Sequence, residues 1–285
     1  MKRLIALLGL ILVAGCGSFG PQAHTLSLAY KTGDTYKYKF HSTIKQTVGA
    51  HDMTLPIQID MTATESVYVD AVDKNGTADL TITFSDFSMK STLGGVTNTT
   101  TGTPMSPIDV KIAADGTIAS VGGNEVSSNN PFGALAGMGG GFFITALLPN
   151  HAVKPGDKWS KTFDQSNPNG SGASHVTSNS TYLRDESFKG VSAAVVETRS
   201  TATIDVTGPA ATTKDAMSGI SIKGTLTTDV TTWIDPNGHR IMKSHTAARD
   251  DATIDIPNTS PDKNSPAIQG PLTAKGDGTT DLTPA

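Results

Sequence analysis

The stretch Ile57-Gln58-Ile59-Asp60-Met61-Thr62-Ala63-Thr64-Glu65-Ser66-Val67-Tyr68-Val69-Asp70-Ala71 places Ile57, Ile59, Met61, Ala63, Val67, Val69 and Ala71 on one parity. Polar residues and Tyr68 take the other parity. Successive side chains of a strand point to opposite faces, so this period of two predicts a long strand with one buried and one wet face. Glu65 alone interrupts the apolar parity. Lys74-Asn75-Gly76 follows, and Asn-Gly is expected to supply the positive φ angles of a tight hairpin before Ala78, Leu80, Ile82 and Phe84 run back. Upstream, Tyr36, Tyr38, Phe40, Ile44 and Val48 alternate with Lys37, Lys39, His41, Thr43, Lys45 and Thr47. Downstream, Asp115-Gly116 separates Ile108, Val110 and Ile112 from Ile118 and Val121, completing an antiparallel meander.

The pattern then restarts. Lys31-Thr32-Gly33-Asp34-Thr35-Tyr36 is matched by Lys154-Pro155-Gly156-Asp157-Lys158-Trp159: a Gly-Asp turn, then an aromatic residue that enters the core as the strand begins. Val67-Tyr68-Val69-Asp70 aligns with Thr181-Tyr182-Leu183-Arg184, and Asp115-Gly116 with Asn237-Gly238. Three anchors in one order predict an internal duplication. The second copy holds strands through Ala194, Val196, Ala202, Ile204 and Val206, through Ile220, Ile222, Leu226, Val230 and Ile234, and through Met242, Ala248, Ala252, Ile254 and Ile256. Asp250 interrupts the last as Glu65 interrupts the first.

These readings predict an all-β chain, mainly an antiparallel meander duplicated into a curved sheet or open barrel. Residues 26–128 form the first repeat and 150–256 the second. Between them, 129–149 is the most apolar stretch, with Pro131 suited to a helix start and Pro149 to its end. Gly139, Gly140 and Gly141 would each weaken a helix by about 1 kcal/mol, so a short broken helix or lid is expected. Residues 257–285 lose the alternation and are expected to be a disordered tail.

The amino terminus reads as a leader. Lys2 and Arg3 precede an apolar run from Leu4 to Ala14, shorter than the ~20 residues that cross a bilayer. Val13-Ala14-Gly15-Cys16 resembles the lipobox of bacterial lipoproteins. That resemblance implies removal of residues 1–15, a diacylglycerol on the sulfur of Cys16, a tether over 16–25, and attachment of the exported chain to the cell membrane or outer membrane. Gly17 stands where Asp favours inner-membrane retention in that family, which implies the outer membrane where one exists. One acyl chain anchors only marginally, and two or three hold firmly. Cys16 is the only cysteine, so no disulfide supports the fold.

Loss of Lys2 and Arg3 with the leader takes the formal charge from −4 to −6. That charge and the lack of a basic cluster exclude nucleic acid as a partner. No nucleophile elbow, zinc-protease helix, phosphate loop or paired-thiol motif is present, and no cofactor or metal is expected. Ser42 and Lys45 fit a Ser-x-x-Lys string, but on a strand they point to opposite faces. Asp70 to Gly76 lacks an acidic residue where a calcium loop needs one and reads as a solvated hairpin.

A carboxylate facing a core costs several kcal/mol unless paired, so Glu65 and Asp250 mark a pocket, an ion pair or a bulge. With Phe132, Leu135, Met138, Phe142, Phe143 and Leu147 of the apolar stretch, they form the candidate ligand-binding set. In architecture the chain resembles the lipid-carrying half-barrel lipoproteins of bacterial envelopes. Its repeated strand start is similar to that of uncharacterised secreted bacterial families with a Lys-x-Gly-Asp-x-aromatic motif. The reading is a non-enzymatic, membrane-anchored protein that binds a lipid or hydrophobic peptide on a concave sheet. A structural or protein-interaction scaffold of the envelope and an envelope hydrolase are the alternatives; the sequence specifies no protein partner.

Overall fold

A computed structural model describes residues 23–50, 53–102, 107–121, 124–125, 146–166, 171–207, 221–255 and 271–285. The first repeat supplies β1 (Thr35–Ala50), β2 (Met53–Val72), β3 (Ala78–Leu93), β4 (Val96–Thr101), β5 (Ile108–Ile112), β6 (Ile118–Val121) and β7 (Asn124–Glu125). The second supplies β8 (Lys158–Ser166), β9 (Ser171–Phe188), β10 (Val191–Thr207), β11 (Ser221–Asp235) and β12 (Arg240–Asp255). The last strand is β13 (Leu272–Pro284). All join one antiparallel sheet in the order β7-β6-β5-β3-β2-β1-β13-β12-β11-β10-β9-β8, with β4 paired to β3. The sheet is curved and does not close on itself, and among the described residues there is no helix.

The expected alternation holds along most of the long strands, but Ala71 departs from its expected buried side: a register shift between Val69 and Ala71 leaves it exposed and turns Val72 toward the core. In β2 the buried positions are Met61, Ala63, Glu65, Val67 and Val69, while Thr62, Tyr68 and Asp70 are exposed. Met242 departs from its expected side. An irregularity in the β11–β12 register between Trp233 and Ile234 shifts the parity, and Met242 packs with Ala193, Val195 and Trp233 in a separate cluster.

The repeat is visible in backbone bonding. Gly33, at φ +90°, donates to the Val69 carbonyl at 2.9 Å, and Asp34 accepts from the Val69 amide at 3.0 Å. Gly156, at φ +98°, donates to the Tyr182 carbonyl at 2.7 Å, and Asp157 accepts from the Tyr182 amide at 3.0 Å. Val69, not Tyr68, is therefore the counterpart of Tyr182. Matching the two tyrosines by letter pairs a half-exposed ring with a fully buried one on the opposite face. The hairpin at Asn75-Gly76 also differs in detail. Only Gly76 has positive φ, and the Asp73 carboxylate accepts from the amides of Asn75 and Thr77, so the turn is wider than two residues.

The tail requires a correction. Leu272–Pro284, placed by sequence in a disordered segment, is a central strand, with thirteen residue pairs to β1 and eleven to β12. Its inward positions are Leu272, Ala274, Gly276, Gly278, Thr280 and Leu282, too small and polar to show an apolar parity. Backbone pairing on both sides supplies the order that its side chains do not announce.

The sheet has two unlike ends. At one, the segment from His24 to Gly33 crosses the turns: Leu28 donates to the Ala114 carbonyl, Ala29 to that of His239, and His24 pairs with Val153. Leu26, Leu28, Leu148 and Val153 are buried there with Phe40, Phe84, Val110, Tyr182 and Ile234, so both repeats share one core. Lys161 Nζ of β8 lies 2.6 Å from Asp115 Oδ2 in the β5–β6 turn, tying the two flanks of the sheet by side chains instead of a ladder. At the other end lie the β1–β2 and β3–β4 hairpin tips, about 50 Å away along β1 at ~3.3 Å per residue. The first is the closed end and the second the open end.

A chain ending at residue 270 leaves facing edges of β1 and β12 unpaired. It is expected to lose its single cooperative transition in denaturant, and a peptide of residues 271–285 to restore it. An unchanged midpoint in the truncated chain would show β13 to be dispensable.

Candidate functional site

The inward side chains change character along the strands. Phe40 and Phe84 meet edge to face at the closed end with centroids 5.9 Å apart, and Trp159 donates from Nε1 to the Leu147 carbonyl at 2.7 Å. Next comes a band of hydroxyls that satisfy one another: Thr280 to Ser42 at 3.0 Å, Ser180 with Thr198 at 2.9 Å, and Ser178 with Ser200 at 2.8 Å. Beyond it, toward the open end, Ala202, Ala248, Ala252 and Ala274 lie among Ile204, Ile222, Leu226 and Ile254. Bulk gives way to methyl groups, which narrow the core least.

A cleft of about 660 Å³ lies toward the open end, lined by Gln46, Ile57, Asp250 and Gly276 of the inner parity but mostly by exposed residues of the outer one, and none of these alanines lines it. Asp250 and Gln46 sit on the inner parity at either side of Gly276, and Gln46 Nε2 donates to Asp250 Oδ2 at 3.1 Å. Burial, followed by the nearby charges of Asp251 and Asp277, holds the Asp250 carboxyl above its ordinary range, against the Gln46 bond that lowers it. A Cβ at Gly276 would stand 2.8 Å from both Asp250 Oδ1 and the Lys45 carbonyl oxygen. Absence of a side chain there lets the Lys45 carbonyl of β1 and the Asp250 carboxylate of β12 approach β13 closely. Lys45, Arg249, Asp251, Lys275 and Asp277, all exposed on the outer parity, also line the cleft, with Lys275 Nζ 2.9 Å from Asp251 Oδ2.

Glu65 belongs elsewhere. It faces the closed-end core between Tyr38 of β1 and Phe84 of β3, 3% exposed, and its Oε2 has no hydrogen-bond partner. Desolvation raises its pKa from 4.5 to about 7. Tyr30 and Tyr38 are also raised, chiefly by burial and further by Glu65. Eight residues of β1 separate Tyr38 from Gln46, so Glu65 and Asp250 lie roughly 25 Å apart and form no joint site. Leu147 is half-buried at the closed end. Phe132, Leu135, Met138, Phe142, Phe143 and Cys16 lie outside the described residues, as does the expected helix up to residue 145. Ser42 is buried while Lys45 is exposed on the opposite face.

Gln46 was legible in principle, because it breaks the Ile44–Val48 parity as Asp250 breaks its own. Gly276 was not, since its neighbours come from β1 and β12.

Two stability tests follow from this geometry. Below about pH 4.5 Glu65 is protonated whether the chain is folded or unfolded. As pH rises toward about 7 the unfolded chain releases that proton and the folded chain keeps it, so stability falls across this window and then levels. The loss attributable to Glu65 is about 3 kcal/mol. Glu65→Gln is expected to flatten the profile in denaturant titrations; an unaltered slope would remove Glu65 as its source. Gly276→Val should destabilise by about 1–3 kcal/mol through overpacking, read as a lower denaturation midpoint.

No family model matches the chain, and no curated protein matches it. Among solved structures it is similar to one titled "Lipid-protein interactions in lipovitellin", at 11% sequence identity and a TM-score of 0.43. The match covers 90% of this chain and 26% of that one, so the chain spans about a quarter of its length.

Proposed function

We propose that this is an exported, lipid-anchored protein of the cell envelope that binds an apolar ligand, a lipid or a hydrophobic peptide, without transforming it. The observation that carries the reading is the change from aromatic to smaller aliphatic side chains along the inner face, with a cleft toward the same open end. An acyl chain or aliphatic side chain gains about 0.8 kcal/mol per methylene taken out of water. The hydroxyl band marks the inner limit of the site, because its bonds are already made within the sheet. Gln46 and Asp250 at the cleft supply one amide and one carboxyl to orient a polar head.

The anchor rests on Val13-Ala14-Gly15-Cys16, and the described chain begins seven residues after Cys16. The non-enzymatic part rests on the sequence, which carries no catalytic motif.

Titration with a fluorescent fatty acid, using the chain from Cys16 onward with Cys16→Ser, is expected to give saturable binding. Ala252→Trp, which fills the alanine patch, is expected to abolish it; saturable binding unchanged by Ala252→Trp would place the ligand elsewhere, and none at all would overturn the reading. Mass spectrometry of the processed protein should find a diacylglycerol on Cys16, and a free thiol there would remove the anchor. The same buried hydroxyl pairs support a second reading, a fully packed scaffold, for which crosslinking in the native membrane should return a stable protein partner and fatty acid should not bind.

A further inference from the structure

The open end carries an apolar surface that the sheet does not cover. Met53 is 74% exposed, Val96 65%, Leu93 48% and Leu55 41%, all at the tips of the β1–β2 and β3–β4 hairpins. Every residue of β4 is exposed. No Asp, Glu, Lys, Arg or His occurs from Met53 to Ile59 or from Ser91 to Ile108, while His51 and Asp52 directly precede Met53 in the sequence. The wet face elsewhere is laced with cross-strand pairs, Lys111 with Asp79, Arg199 with Asp229 and Lys223 with Asp205. Edge strands facing water are ordinarily protected by charge or proline against pairing, and β4 has neither.

We propose that these tips seat in the interface of a zwitterionic lipid bilayer and that the apolar ligand enters the cleft from there. The proposal rests on the ligand-binding reading and names the source of the ligand. Three observations select a bilayer as occupant. Exposed aliphatic side chains flanked by threonines match a boundary that takes up apolar groups and hydrogen-bonds to hydroxyls. Net negative charge and the lack of a basic cluster disfavour an anionic surface and leave a zwitterionic one. Pro56, Ile57, Thr92 and Gly95, from the same two hairpins, line the cleft, so the tip surface is continuous with its mouth. The amino-terminal segment leaves the sheet at the closed end, so the contact is separate from any tether at Cys16.

The test uses the chain from Cys16 onward with Cys16→Ser and phosphatidylcholine vesicles. The protein should float with the vesicles, and Met53→Asp with Val96→Asp should reduce that fraction about tenfold, since each change removes exposed apolar area that the interface buries. Both positions are solvent-exposed, and an unchanged thermal midpoint would confirm that the double variant folds. An environment-sensitive dye on Val96→Cys should shift to the blue with vesicles, while the same dye on Lys74→Cys in the closed-end β2–β3 turn should not. Absence of flotation, flotation insensitive to the two aspartates, or an equal response at both dyes would overturn the proposal. Fatty-acid titration separates its failure from that of the ligand-binding reading: soluble ligand still saturates the site if only the membrane contact is wrong.

Discussion

The structure depends on a backbone constraint, that every ladder edge inside a sheet must be paired. Two meanders in tandem leave the first strand of one and the last strand of the other without a partner. β13 fills that gap, pairing antiparallel with β1 on one side and β12 on the other. The chain's last residues thereby turn two repeats into one sheet, and the inner faces of both repeats contribute to a single core at the closed end. No disulfide assists, so cohesion rests on this pairing, on the shared core and on the Lys161–Asp115 contact across the flanks.

Packing divides the interior into zones with different uses. Rings and leucines at the closed end make a core in which an unpaired carboxyl, Glu65, is held protonated well above its ordinary range. The mutually bonded hydroxyls of the middle need neither water nor ligand, whereas Thr232 Oγ1 is buried without a partner. Toward the open end the inner side chains are smaller, and Gly276 lines a cleft. The transition along each strand lies in side-chain volume, since the backbone ladder continues unchanged.

The duplication is conserved in bonding more closely than in letters. Gly33–Asp34 with Val69 and Gly156–Asp157 with Tyr182 make the same two bonds, and in each copy a third runs from the amide of Asp34 or Asp157 to the carbonyl of Lys31 or Lys154. The residue opposite the turn is Val in one copy and Tyr in the other because only its main chain takes part. The third anchor diverges further: Gly116 holds the positive φ in its turn, whereas His239, not Gly238, holds it in the second copy, with the Asp235 carboxylate accepting from Asn237 and Gly238.

Period-two alternation over long stretches determined the strands, their buried faces and the all-β class, because pleat geometry translates sequence parity directly into sidedness. It also marked Glu65 and Asp250 as carboxyls on an inner face, since a single charge in an apolar row is a local signal. Partner choice between strands is non-local, and tertiary structure alone decided it. The Gly- and Thr-rich end of the chain carries no parity to read, yet it became the central strand because two distant edges required a partner. The same non-locality separated Glu65 from Asp250 and brought Gln46 to the latter, for contacts across a sheet depend on register, which no single strand encodes.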